Sequence, residues 1–115
     1  MRARFFPLLL TPAVMLSGCN SSAPASAQQL RNGGEQYAAN CAICHGVKGF
    51  GDGPAAAALP KRPANLVKKL SSPFNRDSAL IEDVKRGKQV MPAFAGKLSD
   101  DQIADIFAYI RSLNP

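Results

Sequence analysis

The residues with the most evident chemistry are Cys41, Cys44 and His45, in the stretch CAICHG. Two thiols three positions apart, followed by an imidazole, could form a disulfide, a redox dithiol, part of a zinc site or the attachment point of a heme. A disulfide between neighbouring helical turns would constrain little and would leave His45 unexplained. A thioredoxin-like dithiol is expected within a βαβ pattern, and no segment here alternates with the period of a strand.

Zinc and heme differ in the ligands that they need. A structural zinc site takes four ligands, and His45 is the only histidine in the chain. The pattern Cys-x-x-Cys-His is the attachment signature of a c-type heme. Each thiol adds across a vinyl group of the porphyrin, and the histidine that follows can turn its ring toward the iron. The sequence therefore predicts one covalently attached heme c, with thioether bonds at Cys41 and Cys44 and His45 as an iron ligand.

The N-terminus has the layout of an export signal. MRAR carries two positive charges, FFPLLLTPAVML is apolar, and LSGC follows. This run is shorter than the ~20 apolar residues that a membrane-spanning helix needs. Leu16-Ser17-Gly18-Cys19 resembles the lipobox of bacterial lipoproteins. The resemblance implies removal of residues 1–18 and a lipid on Cys19, on the periplasmic side of an inner or outer membrane; plain secretory cleavage is the competing interpretation.

Charge and composition describe the mature chain further. The formal net charge of +6 falls to +4 when Arg2 and Arg4 are removed. The remaining cations are scattered and no aromatic residues alternate with them, which argues against a nucleic-acid groove. A mildly basic face for an acidic redox partner is one interpretation, and an ordinary solvated surface is the other. Small and polar residues in NSSAPASAQQ predict a tether over residues 19–30, before a domain at 31–115.

A second iron ligand follows by elimination. The single histidine excludes ligation by two histidines from this chain, and Met1 and Met15 lie in the predicted signal. Met91 remains, in a loop where Pro92 favours an extended backbone. Its position in VMPAFAGKLSDDQ favours iron ligation over a role as a core filler. An open iron site and a lysine ligand are the competing hypotheses for the sixth position.

Helix signals divide the rest of the chain. A first helix is predicted from Gly33 or Gly34 to the cysteines, and residues 66–70 predict a short helical turn. A third segment, capped by Asp77 or Ser78, is predicted to end at Gly87, with a pair between Glu82 and Arg86. The last helix has the clearest start, because Ser99 and Gln102 form a capping box. Its predicted buried face consists of Ile103, Ile106, Phe107 and Ile110.

Residues 30–113 resemble a class I cytochrome c with one heme. The matching pieces are YAANCAICHG, GFGDGP, VMPAFAGKLSDDQ and IADIFAYIRSL. The resemblance implies an all-α cytochrome c fold, with three or four short helices and long loops around the heme. It also implies a close crossing of the first and last helices at Gly33 or Gly34, Tyr37 and Tyr109. Finally, it implies that the carbonyl of Pro54 accepts a hydrogen bond from His45, unless Gly53-Pro54 is only a turn.

These features predict a monomeric electron carrier rather than an enzyme. Two filled axial positions would leave the iron to cycle between its ferrous and ferric states, and a methionine ligand raises the reduction potential. Its partners would be other redox proteins, contacted briefly through small interfaces. A competing hypothesis is a heme subunit of a larger oxidase, reductase or dehydrogenase. A further one is an open-site heme sensor or enzyme, against which the presence of Met91 counts.

Overall fold

A computed structural model describes residues 23–115. Cys19 and the predicted signal, residues 1–18, lie outside this part of the chain. Within it, every regular element is helical, and the only β-type pairing is an isolated bridge between Lys88 and Met91. The all-α class is confirmed. The α-helices are α1 (Ala27–Asn40), α2 (Ala42–His45), α3 (Leu66–Ser71), α4 (Asp77–Arg86) and α5 (Asp100–Leu113), with a 3-10 turn at Ala56–Ala58.

Helix α1 begins six residues before the predicted start at Gly33. The Ser26 hydroxyl accepts from the Gln29 N–H at 3.2 Å, and the Gln29 side chain accepts from the Ser26 N–H at 2.9 Å. This capping box satisfies two N–H groups at the start of the helix. The prediction of a tether as far as residue 30 is therefore wrong for residues 27–30, which are helical.

Helices α1 and α5 cross at two adjacent glycines. A Cβ atom on Gly33 would lie 2.0 Å from the Asp105 carbonyl oxygen, so only glycine permits this approach. A Cβ on Gly34 would lie 3.1 Å from the Tyr109 ring. The Tyr37 and Tyr109 rings are 5.9 Å apart between centroids, at a tilt of 46°. The crossing that the resemblance implies is therefore present, and both glycines take part in it.

The start and the buried face of α5 match the prediction. The Ser99 side chain accepts from the Gln102 N–H at 3.1 Å, and the Gln102 side chain accepts from the Ser99 N–H at 2.9 Å. The apolar stripe of α5 packs against α1 and the later loops. The buried core consists of Tyr37, Leu70, Leu80, Phe94, Leu98, Ile103, Ile106, Phe107 and Ile110.

Helix α4 ends as predicted but begins differently. Gly87, with φ 71°, terminates it. The N-cap is Arg76, which makes no side-chain cap, so the prediction of Asp77 or Ser78 as the cap is wrong. Asp77 instead accepts hydrogen bonds of 2.7 and 2.8 Å from the Arg111 guanidinium of α5. This pairing lowers the pKa of the Asp77 carboxyl, chiefly through the hydrogen bonds.

The ion pairs on α4 also differ from the expected one. Glu82 pairs with Lys85 at 2.9 Å, and Arg86 pairs with Asp83 at 3.0 Å. The predicted pair between Glu82 and Arg86 is therefore wrong, because each of these residues pairs instead with a residue three positions away. Both observed pairs are separated by three residues, a spacing that brings side chains together on a helix as readily as four.

Candidate heme site

One cavity of about 320 Å³ lies between the core and the loops. Its wall includes both motif cysteines, His45 and Met91, so the fold brings together residues from two distant parts of the chain. Most other lining side chains are apolar, and several of them also belong to the buried core. The apolar lining consists of Leu59, Pro63, Ala64, Leu66, Leu70, Leu80, Val84, Val90, Pro92, Phe94 and Phe107.

The thiols are presented by the junction of α1 and α2. Cys41 ends α1, where its N–H donates to the Tyr37 carbonyl at 2.9 Å, and its own carbonyl accepts from the His45 N–H at 2.9 Å. Cys44 follows three residues later, so both side chains lie on one side of the turn. Both cysteines are free thiols and partly buried. Burial, and then the proximity of Cys44, raise the pKa of the Cys41 thiol to about 11.

His45 is buried and oriented by a backbone carbonyl. Only 8% of the residue is exposed, and its Nδ1 lies 3.0 Å from the Ala64 carbonyl oxygen. Because a carbonyl only accepts, Nδ1 carries the proton, and Nε2 of the neutral ring keeps its lone pair. Burial lowers the pKa of the imidazole, although the bond to Ala64 opposes this effect. The ring is therefore suited to bind iron through Nε2.

The hydrogen-bond partner of the His45 ring differs from the predicted one. The acceptor is the carbonyl of Ala64, not that of Pro54. Pro54 is exposed and lies in a turn whose neighbours are tied to α2, since the Gly53 N–H donates to the Cys44 carbonyl at 3.1 Å. The sequence signal for Ala64 is Asn65, the N-cap of α3. The residue before a cap lies outside the helix, so its carbonyl is available to other donors.

The loop after the motif packs closely on the segment that contains Ala64. The Gly51 N–H donates to the His45 carbonyl at 2.8 Å, and the Leu66 N–H donates to the Gly49 carbonyl at 2.7 Å. Gly51 has φ +81°, and a Cβ there would lie 2.4 Å from the Pro63 carbonyl oxygen. The backbone around His45 is thus held from both sides.

Met91 is placed by a tight turn at the end of α4. Lys88 and Met91 exchange two backbone hydrogen bonds, of 3.1 and 3.0 Å. Gln89 in this turn has φ 56°, which is unusual for a residue other than glycine. A Cβ on Gly87 would lie 2.8 Å from the Met91 carbonyl oxygen, so the turn depends on that glycine. Sequence reasoning identified Met91 but not the turn that positions it.

The charges that line the cavity are mostly positive. Asp83 is the only lining carboxylate, and it is already paired with Arg86. Heme c has two propionate groups, which need nearby cations or water when they bind. Two thiols, one imidazole, one thioether, an apolar wall and an excess of cations therefore fit this group. The lining cations are Lys61, Arg62, Lys69 and Lys88.

Comparisons with known proteins agree with this site. Residues 28–110 match the family described as Cytochrome C oxidase, cbb3-type, subunit III. Cytochrome c6 from Thermosynechococcus vestitus is 34% identical over 110 residues, which cover 96% of this chain and 91% of that protein. Cytochrome c6 from Synechococcus elongatus is 39% identical over 81 residues, which cover 70% and 86% respectively.

A solved structure is similar as well. A chain of the reducing HAO-like protein complex of Kuenenia stuttgartiensis matches 80% of this chain, with a TM-score of 0.63 and 28% sequence identity. The match covers 47% of that longer chain. The protein described here therefore belongs to the cytochrome c family. It is a monoheme c-type cytochrome, which carries electrons on one covalently attached heme c.

Proposed function

We propose that this cytochrome is a monomeric electron carrier of the bacterial cell envelope, held on the periplasmic side of a membrane by a lipid on Cys19. The observation that carries the electron-transfer part is the convergence of Cys41, Cys44, His45 and Met91 on one apolar cavity. When bound there, heme c supplies an iron that gains and loses one electron.

The four residues have separate roles in this proposal. Cys41 and Cys44 would form the thioether bonds to heme c, while His45 Nε2 and the Met91 sulfur would hold its iron. Met91 is partly buried against the core, whereas the three lysines that line the cavity are exposed, which supports sulfur over a lysine ligand. With His45 and Met91 both bound to the iron, the heme would offer no open site to a substrate, so the protein would act as a carrier and not as an enzyme.

Exposed apolar side chains near the motif support transient docking of other redox proteins. Ile43 is 62% exposed, Val47 is 80% exposed, and Val90 at the cavity wall is 51% exposed. Such residues suit the centre of a small interface, and the lysines at the cavity rim favour an acidic partner. Ile43 lies between the two thiols in sequence, so a partner bound there would approach the thioether edge of the heme.

The anchor and the domain limits complete the proposal. Residues 1–18 are the removed signal, and Cys19 is the lipidated start of the mature protein. The predicted tether shortens to residues 19–26, because α1 begins at Ala27. No helix within residues 23–115 is long and apolar enough to cross a membrane. Mass spectrometry of the mature protein and of Cys19→Ala tests the lipid directly, since only the former should carry its mass.

Absorption spectra test the heme ligands. The holoprotein should show sharp low-spin bands and, when ferric, the weak sulfur-to-iron band. Met91→Ala should lose the weak band and bind carbon monoxide readily, because its sixth position is open. Val90→Ala, which changes the adjacent lining residue, should behave as wild type. A wild-type protein that is high-spin and binds carbon monoxide unaided would instead indicate a sensing or catalytic heme.

The family description favours one second candidate. It refers to an oxidase subunit, so this chain could serve as the heme subunit of a larger oxidase, reductase or dehydrogenase. Native-size analysis of gently solubilised membranes separates the two candidates. A free carrier migrates at the mass of one chain, whereas a subunit migrates with its complex.

A further inference from the structure

Phe74 is the most exposed large apolar residue among residues 23–115. It is 92% exposed, at the tip of the loop between α3 and α4, and it does not line the heme cavity. Phe50, by contrast, is 39% exposed, and Phe94 and Phe107 are buried. An aromatic side chain that is left in water over almost its whole surface is a candidate contact for a partner.

The loop is held in place, so the exposure of Phe74 belongs to a defined conformation. The Asn75 side chain donates to the Lys69 carbonyl at 2.9 Å, which folds the loop back onto α3. On the other side, the Arg111 guanidinium binds both the Leu70 carbonyl, at 3.2 Å, and the Asp77 carboxylate. Both ends of the loop are therefore fixed to the helical frame.

Positively charged residues flank Phe74 in the sequence. Residues 66–76 contain Lys68, Lys69 and Arg76 and no acidic residue. All three cations are exposed, and none forms an ion pair with another residue in the part of the chain that the structure describes. The next acidic residue, Asp77, is neutralised by Arg111. Because Lys69 also lines the heme cavity, Lys68 and Arg76 are the two cations that remain for a contact outside it. An exposed aromatic tip with two unpaired cations has the chemistry that binds anionic lipid headgroups.

We propose that Phe74, Lys68 and Arg76, together the Phe74 patch, dock the domain on the surface of an anionic lipid bilayer. The inference rests on the proposed membrane location. Seven residues separate Cys19 from the first residue of α1. They span at most about 25 Å in any conformation, which keeps the domain close enough for its surface to touch lipid. Docking through this patch would fix the orientation of the heme domain.

Vesicle binding tests the patch separately from the anchor. The probe is the full mature holoprotein with Cys19→Ser, exported behind a plain secretory signal, so that no lipid is attached. It is sedimented with vesicles of phosphatidylglycerol and phosphatidylcholine, and with vesicles of phosphatidylcholine alone. We expect binding to the anionic vesicles only, and weaker binding as salt rises. Because this protein lacks the lipid, the result does not depend on whether Cys19 is lipidated in cells.

Substitutions then locate the contact. Lys68→Gln and Arg76→Gln should each weaken binding about fivefold, the effect of one cation near an anionic surface. Phe74→Ala should weaken it about tenfold, because the ring no longer enters the interface. Lys97→Gln removes an exposed cation elsewhere, and Val47→Ala removes an exposed apolar side chain elsewhere. Both control variants should bind nearly as well as the parent protein, and the heme spectra should show that every variant is folded.

Three results would overturn the proposal. The first is equal binding to neutral and anionic vesicles, or no binding to either. The second is an equal loss in Lys97→Gln and Lys68→Gln, which would reflect net charge and not a patch. The third is a Phe74→Ala variant that binds vesicles normally but exchanges electrons more slowly with membranes of the source bacterium. That result would assign the patch to a protein partner.

Discussion

The two sides of the heme cavity are built in different ways. The His45 wall consists of residues 41–53 and 62–66, and the Met91 wall consists of residues 87–96. In the His45 wall, the ring bonds to Ala64 and the backbone of two separate loops is interlocked by hydrogen bonds. In the Met91 wall, a single turn is held by the two backbone hydrogen bonds between Lys88 and Met91. The chain then contacts α4 again through a 3.2 Å hydrogen bond from the Phe94 N–H to the Val84 carbonyl.

This difference indicates which of the two proposed iron ligands, His45 or Met91, should be easier to displace. His45 is covalently next to Cys44, is almost buried, and is surrounded by contacts between distant segments. Met91 depends on a local turn that contains a residue with a left-handed backbone. We therefore expect ligand exchange and local opening to begin at the Met91 wall, since local stability follows burial and the number of supporting bonds.

The largest expected effect is that of Gly51→Ala in the His45 wall. An alanine there would combine a left-handed backbone with a Cβ only 2.4 Å from the Pro63 carbonyl oxygen. The two loops would have to separate, which would also move Ala64 away from His45. We expect a loss of at least about 3 kcal/mol in the free energy of unfolding. Denaturant unfolding of the holoprotein, together with the yield of attached heme, measures this effect.

Gly96→Ala in the Met91 wall is the matched control. Gly96 has nearly the same φ, +79°, but a Cβ there would meet nothing within 4 Å. Only the backbone cost remains, about 1 kcal/mol. Equal losses from the two substitutions would show that the packing of the His45 wall adds nothing to the backbone effect.

A second, smaller effect is expected from Tyr37→Phe. The Tyr37 hydroxyl donates to the carbonyl of Gly46, the residue after His45, at 2.5 Å. Removal of this bond leaves the buried Gly46 carbonyl with only the Gly49 N–H as a donor, at 3.2 Å, and should cost about 1 kcal/mol of unfolding free energy. Tyr109→Phe is the control, because Tyr109 is only partly buried and lies at the same helix crossing.

The same residue predicts a pH dependence. Burial is the main cause that raises the pKa of Tyr37 to about 12 from its ordinary value of 10.0. Between these two values the unfolded chain loses the proton and the folded protein keeps it, so stability falls as pH rises through this range. Tyr37→Phe should flatten that part of the pH profile of unfolding. An unchanged slope in the variant would show that another group causes the alkaline loss.

The helical frame was largely predictable from sequence, because its signals are local. The Ser99 capping box and the apolar spacing from Ile103 to Ile110 depend only on neighbouring residues, and both are confirmed. The same capping signal at Ser26 was present but lay in a polar segment, where α1 has no apolar stripe to reinforce it. Composition there favoured a tether over the helix that the structure shows.

The loops were harder to predict because their partners are distant in sequence. His45 bonds to a carbonyl 19 residues away, and no periodicity identifies which carbonyl that is. Asp77 does not cap α4, because Arg111, 34 residues away, offers it two charged donors. The cavity residues Cys41, Cys44, His45 and Met91 were found from chemistry, while Ala64 required the three-dimensional arrangement.

The smallest expected effect concerns Gln89 and the Met91 wall. Its φ of 56° places a residue with a Cβ in the left-handed region, at a cost that glycine avoids. Gln89→Gly should remove this cost but add conformational freedom to the unfolded chain. We expect a net increase of about 0.5 kcal/mol in the free energy of unfolding. If Met91 binds the iron, a firmer turn should also make external imidazole bind the ferric protein about twofold more weakly.

Gln89→Ala separates the backbone from the side chain in this test. Alanine removes the amide group of the glutamine, which lines the cavity, but keeps the Cβ and therefore the left-handed cost. We expect its stability and imidazole affinity to match wild type, while Gln89→Gly alone shows the gain. If alanine and glycine have the same effect, the side chain of Gln89 controls the Met91 wall, and its backbone conformation does not.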